Sequence, residues 1–538
     1  MEAADRGVSR YWHYGLLLLV IAVFGLIRWH LRNIPLERDE GEYAYAGQLM
    51  LHGVSPYASL YSMKLPGTFA AYAAILAIFG QTIAGIHLGL LVINAATTLL
   101  VFLLGKRLFG LLAGLVAGAS YALLSTSPAV VGFAAHATNF VVLPAVGGIL
   151  LLLRVTETRR SWLYFWSGVL LGLAFLMKQP GILFTVFGAV YLGYCERKLA
   201  PSDWRGLFRK EFAYACGVVL PFALTCVLLL ASGALSKFWF WTFVYAREYA
   251  TTTGIGEGLG VLRIMLPSVV MPARWIWVLA GVGLTAIAWN RQARERRFFL
   301  ISFLLFSILA VCPGLYFRGH YFILMLPAIA LLVGVAASSV RGWVQEKSPA
   351  NAQPWLLPAL IFLAAFANTI YVQRGYLFRM DPLTASRAIY GANPFPEAVE
   401  VAGYLKDHAS NGARIAVLGS EPEIYFYSGL RSATGYIYTY GLMEPQPYAL
   451  EMQKEMIAEI EAAQPEYIVF VGVPQSFGKL PTSEGYIFRW IDSYLRTQYD
   501  IVGVADILPR TNYVWGDDAR NYQPHSSSYI RVFKRRAF

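Results

Sequence analysis

Eleven apolar runs dominate the first two thirds of the chain, near residues 14–33, 83–105, 108–128, 133–153, 162–178, 180–196, 212–232, 264–289, 298–316, 320–340 and 355–373. A helix needs about 20 predominantly apolar residues to cross a bilayer, so these runs predict a multi-span α-helical membrane protein of about 11 transmembrane helices. The chain is 57% hydrophobic and 14% charged, against roughly 25% charged for soluble domains. The uninterrupted apolar stretch 15–27 within the first run ends at Arg28-Trp29-His30 without a small-residue cleavage site and reads as a retained span rather than a removed signal.

Basic loops set the expected orientation, because cytoplasmic connections carry the excess of Lys and Arg. With the N-terminus in the cytoplasm, Lys106-Arg107 and the basic stretches 154–160, 197–210, 290–297 and 341–347 all fall inside. Residues 66–80 are apolar but short, and counting them as a span would reverse every later loop. They read as an interfacial or re-entrant helix. The outer face then receives residues 34–82, the turn at Lys178-Gln179, the loop 233–263, Arg318-Gly319-His320 and everything after about 374.

Net charge divides along the same line. Residues 394–538 hold 13 Lys and Arg against 17 Asp and Glu, and the rest of the chain holds 31 against 15. The excess positive charge therefore belongs to the membrane part, which argues for cytoplasmic loops and against nucleic-acid binding. In 394–538, Arg414–Gly419 and Pro465–Val471 read as buried strands and Glu451–Ala463 as an amphipathic helix. A C-terminal soluble α/β domain is the reading. The expected organisation is a membrane domain over 1–373, a linker over 374–393 and an extracytoplasmic domain over 394–538. The four cysteines, Cys195, Cys216, Cys226 and Cys312, lie in or beside apolar runs and form no C-x-x-C pair, so neither a disulfide framework nor a thiolate metal site is expected.

The outer segment after the first span carries the densest chemistry. Glu37, Asp39, Glu40 and Glu42 fall within six residues, Tyr43, Tyr45, Tyr57 and Tyr61 follow, and Lys64 precedes Pro66-Gly67. A carboxylate beside a cation at an interface can deprotonate an acceptor hydroxyl or amine while the lysine holds a phosphate as a point charge. Lys178 and Gln179 cap another span, and Arg318, His320 and Tyr321 make a tight outer turn that breaks the charge rule. His136 and Asn139 stand near the outer start of a span, and Arg247 in the long outer loop. Each has a plainer reading: a solvated acidic loop, a snorkelling lysine, a structural histidine, an Arg247–Glu248 pair. The chain contains neither a G-x-x-x-x-G-K-[ST] phosphate loop nor an H-E-x-x-H zinc helix.

The external Asp39-Glu40 pair after a first span, the tyrosine-rich sequence and the Lys64-x-Pro66 element resemble the GT-C superfamily of membrane glycosyltransferases. The likeness is to glycosyltransferase family 39, which includes protein O-mannosyltransferases and lipid A aminoarabinose transferases. Gly168–Gly181 and Arg318–Ala330 fit bacterial relatives of that group. The resemblance implies a polyprenyl-phosphate sugar donor, transfer on the extracytoplasmic face, and inversion at the anomeric carbon. It implies Asp39 as catalytic base, Glu40 as supporting acid and Lys64 as ligand of the donor phosphate, with Arg318 and His320 assisting; Lys178 is a further candidate for that phosphate. Glu42, Tyr43, Tyr61, Gln179, His136, Asn139, Arg247 and Tyr321 are candidate substrate contacts. Family members often place a second acid where this chain reads Gly132–Phe140, which holds no carboxylate. The expectation is therefore a reaction without a cofactor, with a divalent metal as the disfavoured alternative.

The expected partners are a polyprenyl-phosphate sugar, a lipid, polysaccharide or protein acceptor, and membrane lipid. The expected location is the bacterial inner membrane, multi-pass, with a cytoplasmic N-terminus. Two other classes compete: a transporter or flippase of lipid-linked sugars, and a non-catalytic envelope assembly protein. A transporter needs polar residues at bilayer depth, whereas these polar residues gather at the rim. Deletion of 394–538 is expected to change acceptor use more than donor binding.

Overall fold

A computed structural model of the chain describes residues 2–158, 160–347, 353–508 and 510–536. The chain divides into two compact units. The first comprises Met1–Arg32, His87–Thr225 and Thr253–Met380; the second comprises Asn33–Ile86, Cys226–Thr252 and Asp381–Phe538.

The first unit is helical. Among the described residues, seven helices are long and apolar enough to cross a membrane, including Ile83–Phe109, Trp204–Ala231 and Leu356–Phe378. Leu111–Leu124, Trp162–Met177 and Arg297–Val311 are apolar but shorter. Helix Ile182–Leu199 completes the agreement with the eleven runs read from sequence. Small residues let these helices approach closely, as packing in lipid requires. A Cβ at Gly168 would stand 2.1 Å from the Tyr214 carbonyl oxygen, and one at Gly283 would stand 1.9 Å from that of Leu332. The stretch Gly319–Lys347 forms the interior of the unit, whereas Trp204–Ala231 keeps most of its apolar side chains exposed, with Phe212 at 61%. That outward apolar face suits a hydrocarbon solvent.

The second unit draws three distant chain segments around one sheet. Its strands are β1 (Arg414–Leu418), β2 (Arg431–Ser432), β3 (Tyr467–Gly472), β4 (Tyr499–Asp506), β5 (Asn512–Trp515) and β6 (Tyr529–Arg535), in the order β2-β1-β3-β6-β4-β5. β1 pairs in parallel with β2 and β3; the other pairings are antiparallel, with an irregularity at Ile501/Gly503. Helix Ala449–Ala463 buries Met452, Met456 and Ile460 in the same core as Leu418, Ile468 and Phe533. Tyr61 from the first loop and Trp241 and Tyr245 from the middle segment belong to that core as well.

Two helices of the first loop complete the unit. The helix Arg38–Leu51, denoted α1, buries every residue from Arg38 to Leu49. The helix Pro66–Phe79, denoted α2, opens on a proline whose fixed φ suits the first helical turn. It is the short apolar stretch that the orientation argument excluded from the spans.

Candidate active site

The acidic segment folds as the start of a buried helix. Glu37 caps α1: the Glu40 amide donates to Glu37 Oε1 at 3.0 Å, and the Glu37 amide donates to Glu40 Oε2 at 3.4 Å. This reciprocal cap satisfies two amides that a helix start leaves without intrahelical partners. It also directs Asp39 and Glu42 from successive turns of one helix, three residues apart.

Lys64 meets that face. Its Nζ donates to Asp39 Oδ1 at 3.2 Å, with side-chain exposures of 15% and 5%. The lysine is held from behind by Tyr57, whose hydroxyl donates to the Lys64 carbonyl at 2.6 Å. Tyr57 is fully buried at φ +66° and packs against Phe69 and Phe238. A left-handed tyrosine is costly backbone, kept where the surrounding packing over-determines it. Lys64 Nζ also lies 5.7 Å from the centre of the Tyr43 ring, which is itself sealed by Phe69 and Tyr72.

Burial dominates the electrostatics here. It pushes the Glu42 carboxyl up to about 7; Lys64 pulls the other way and Asp39 adds to the rise. Glu42 Oε2 is buried without a hydrogen-bond partner among the described residues. Burial, reinforced by Asp39 and Glu40, also raises the Glu37 carboxyl well above its usual range. The segment therefore combines a carboxylate facing a lysine with neighbouring carboxyls that burial drives towards the neutral form.

The residue before Asp39 is the one that sequence reasoning passed over. Arg38 donates from Nε to the Ser420 carbonyl at 3.0 Å, and from Nη2 to Asn393 Oδ1 at 3.0 Å and Glu421 Oε1 at 3.1 Å. Glu421 Oε2 accepts from the Ser476 hydroxyl at 2.5 Å. Next to it, both carboxyl oxygens of Glu423 are buried without partners among the described residues, and burial followed by Glu421 raises that carboxyl well above its usual value. A Cβ at Gly41 would stand 2.5 Å from the Glu423 amide nitrogen, so α1 meets the helix Glu423–Ser428 at backbone distance. The sequence signal was the arginine itself: positive charge is disfavoured outside the membrane.

Tyr61 is committed to structure. Its hydroxyl donates to Glu459 Oε1 at 2.7 Å and accepts from Lys237 Nζ at 2.8 Å, and its ring stacks on Trp241. Arg247 is exposed on the helix Ala246–Thr251.

The first unit gathers a second group from three chain segments. His136 and His320 stack with ring centres 3.8 Å apart, and both are buried. Tyr321 meets His320 edge-on at 4.8 Å, and Lys178 Nζ lies 4.3 Å from the centre of the Tyr321 ring. Gln179 opens the turn Gln179–Gly181, and Arg318 precedes the 3-10 turn Gly319–Met325 with its guanidinium 5.4 Å from the Tyr316 ring centre. Asn139 donates to the Ala134 carbonyl at 3.3 Å, and its Oδ1 is buried without a partner among the described residues. Arg28 fixes the preceding turn, donating to the carbonyls of Gly132 at 2.7 Å and Ser125 at 2.9 Å. Lys178, His136, Tyr321 and His320 thus form one cluster, which sequence spacing alone did not join.

The profile of the family described as dolichyl-phosphate-mannose-protein mannosyltransferase matches residues 64–231. No curated protein matches the chain in sequence. Among solved structures, ArnT from Cupriavidus metallidurans bound to undecaprenyl phosphate aligns with a TM-score of 0.59 at 16% identity, covering 96% of this chain and 98% of that one. The Archaeoglobus fulgidus oligosaccharyltransferase in its apo form aligns at 0.55 and 14% identity, covering 94% and 75%. The archaeal oligosaccharyltransferase AglB from the same organism, in complex with an inhibitory peptide and a dolichol-phosphate, aligns at 0.52 and 12% identity, covering 96% and 75%.

Proposed function

Taking as premise that this chain has the GT-C glycosyltransferase fold and resembles protein mannosyltransferases and ArnT, we propose that it moves a sugar from a polyprenyl-phosphate donor to an acceptor on the extracytoplasmic face of the membrane. The observation that carries the reading is the largely buried Asp39–Lys64 pair at 3.2 Å. The acceptor hydroxyl or amine attacks the anomeric carbon and gives its proton to Asp39. The bond from that carbon to the phosphate oxygen breaks, and the electron pair leaves with polyprenyl phosphate, giving inversion. Lys64 balances the phosphate charge, and burial strengthens that attraction because the local dielectric is low.

Glu40 supports the base by holding the capped start of α1. Lys178, Arg318 and His320 are assigned to the lipid phosphate. ArnT and AglB carry undecaprenyl phosphate and dolichol-phosphate respectively in their structures, which favours this donor class over a nucleotide sugar. The proposed location is the bacterial inner membrane, with the N-terminus cytoplasmic and the sheet domain extracytoplasmic.

The reaction as proposed uses Lys64 rather than a metal opposite Asp39. The ring nitrogens of His136 and His320, which come within 4.8 Å of one another, favour a second reading, in which that pair binds a divalent metal ion. Transfer of radiolabelled sugar by purified protein in detergent tests the main reading, and exhaustive chelation separates the two. Transfer that survives chelation supports the lysine; transfer lost and restored by added metal supports the histidines. Absence of transfer with every polyprenyl phosphosugar tried would favour a flippase or an assembly protein.

A further inference from the structure

The second unit contains a concave site distant in sequence from the acidic segment. On one face of the sheet, Phe470 of β3, Tyr529, Arg531 and Phe533 of β6, and Tyr499 and Ile501 of β4 stand together. The helix Tyr486–Gln498 packs on this face through Ile487, Ile491 and Leu495. Beside that helix remains a cavity of about 500 Å³, within the range of ligand clefts.

Its walls carry four arginines, Arg496, Arg520, Arg531 and Arg536, against two acids, Asp492 and Asp500. Three of the arginines lean on acids: Arg496 on Asp492 at 3.5 Å, Arg536 on Asp500 at 3.0 Å and Arg520 on Asp517 at 3.6 Å. Arg531 differs. Among the described residues no carboxylate stands within ion-pair distance of it, its Nη2 meets Gln523 Oε1 only at 3.5 Å, and its Nε is buried without an acceptor. A buried guanidinium N–H without an acceptor carries a desolvation cost, and Arg531 lines the cavity with no carboxylate among the described residues to answer its charge. Arg531 also stacks its guanidinium 4.9 Å from the centre of the Tyr529 ring, half-buried beside Phe470.

We propose that this cavity binds an acidic oligosaccharide, with Arg531 holding a carboxylate or phosphate substituent and the Tyr529 and Phe470 rings facing the sugar. Arg520, Arg496 and Arg536 add positive field, and Asp492 and Asp500 accept sugar hydroxyls. An anionic lipid surface fits less well, because a surface that inserts into lipid presents large exposed apolar side chains, and none of the apolar residues lining this cavity is among the exposed large hydrophobics. As a binding site for the glycosyl acceptor, the cavity rests on the transferase reading; as a glycan site, it does not.

Calorimetry on the full chain in detergent tests the proposal, with trigalacturonate as the acidic probe, its neutral trisaccharide counterpart, inorganic phosphate, and nanodiscs of anionic phospholipid. Trigalacturonate should bind, the neutral sugar should bind at least about tenfold more weakly, and R531Q should weaken the acidic probe by about 10- to 100-fold, with R531K retaining part of the binding. Equal binding of neutral and acidic sugars, or unchanged affinity in a folded R531Q chain, would overturn it. So would phosphate binding as tightly as trigalacturonate, or R531-dependent binding to anionic nanodiscs alone. Binding is read without catalysis, so its failure leaves the transferase reading standing. Loss of transfer with glycan binding intact would count against the transferase reading alone.

Discussion

Arg38 Nη2 and Glu421 Oε1 stand 3.1 Å apart, with side-chain exposures of 11% and 0%, and the pair ties the residue before Asp39 to the turn after β1. Removing one partner of such a pair leaves a buried charge uncompensated, which costs about 3–5 kcal/mol. R38Q and E421Q are each expected to lower the melting temperature and the rate of sugar transfer. The R38Q/E421Q double variant should recover part of the lost stability, because neither charge is then orphaned. R38K should recover less than the double variant, since an ammonium cannot reproduce three directed contacts. Melting curves and transfer rates of the four proteins check this. Equal stability of single and double variants would make the pair incidental.

The Asp39–Lys64 pair predicts a division of kinetic effects. D39N keeps shape and hydrogen bonding but cannot take the acceptor proton, so transfer should fall by about 10²- to 10⁴-fold with donor affinity little changed. K64M removes the proposed phosphate contact, so donor affinity should weaken together with the rate. Near-normal transfer by a stably inserted D39N chain would remove Asp39 as the base.

Glu42 predicts a pH dependence of stability. Its carboxyl is raised from 4.5 to about 7 by burial, so the folded chain holds a proton there that the unfolded chain releases near pH 4.5. The resulting contribution is fully present below pH 4.5 and is lost as pH rises through about 7, with an upper bound of about 3 kcal/mol. Melting temperatures of the wild type should fall between pH 5 and 8 more than those of E42Q, which stays neutral throughout. Parallel profiles would rule out this titration.

Much of this fold was legible because lipid simplifies the sequence code. Apolar runs report spans directly, and each of the eleven corresponds to an apolar helix. The strands at 414–418 and 467–472 were equally plain, since buried strands read as unbroken apolar runs. Asp39 and Glu40 stood out as charges just after a span, and Lys64 as the cation before Pro66-Gly67. What periodicity does not carry is long-range pairing. The stacking of His136 on His320 joins residues 184 positions apart in number, and Arg38 meets Glu421 across a sequence separation of 383. The burial of α1 was also hidden, because a helix bearing Arg38, Asp39, Glu40 and Glu42 has the composition of an exposed one.

Gly41 reverses an ordinary helix rule. Replacing an exposed mid-helix glycine by alanine gains about 1 kcal/mol of helix propensity. At Gly41 the new Cβ would lie 2.5 Å from a backbone nitrogen and 2.9 Å from the Cα of Glu423, and backbone cannot turn aside as a side chain can. G41A is therefore expected to destabilise the second unit by about 1–3 kcal/mol and to lower transfer with it. G53A, at φ +77° in open surroundings, isolates backbone strain from steric overlap. Thermal melts of both variants separate the two effects, and a G41A chain at least as stable as the wild type would contradict the contact.

Truncation of the tail tests how the second unit is built. Sequence alone led to the expectation that removing 394–538 would alter acceptor use more than donor binding. The contacts argue for a broader loss. The Leu36 amide donates to Tyr427 Oη at 2.8 Å, the Ser432 amide to Tyr45 Oη at 2.8 Å, and the Tyr61 amide to the Gly435 carbonyl at 2.8 Å. With Arg38 and the Gly41–Glu423 approach, these contacts run along the loop from before α1 to just before Lys64. Without the tail, their buried polar partners face solvent or nothing, each at a cost of about 1–3 kcal/mol. The Asp39–Lys64 geometry then lacks its support. Chains ending after residue 393 should insert into membranes yet lose acceptor transfer and donor binding together, as read by photo-crosslinking of a polyprenyl phosphosugar and by transfer assay. Retained donor crosslinking at wild-type level would show that α1 holds its site without the sheet domain.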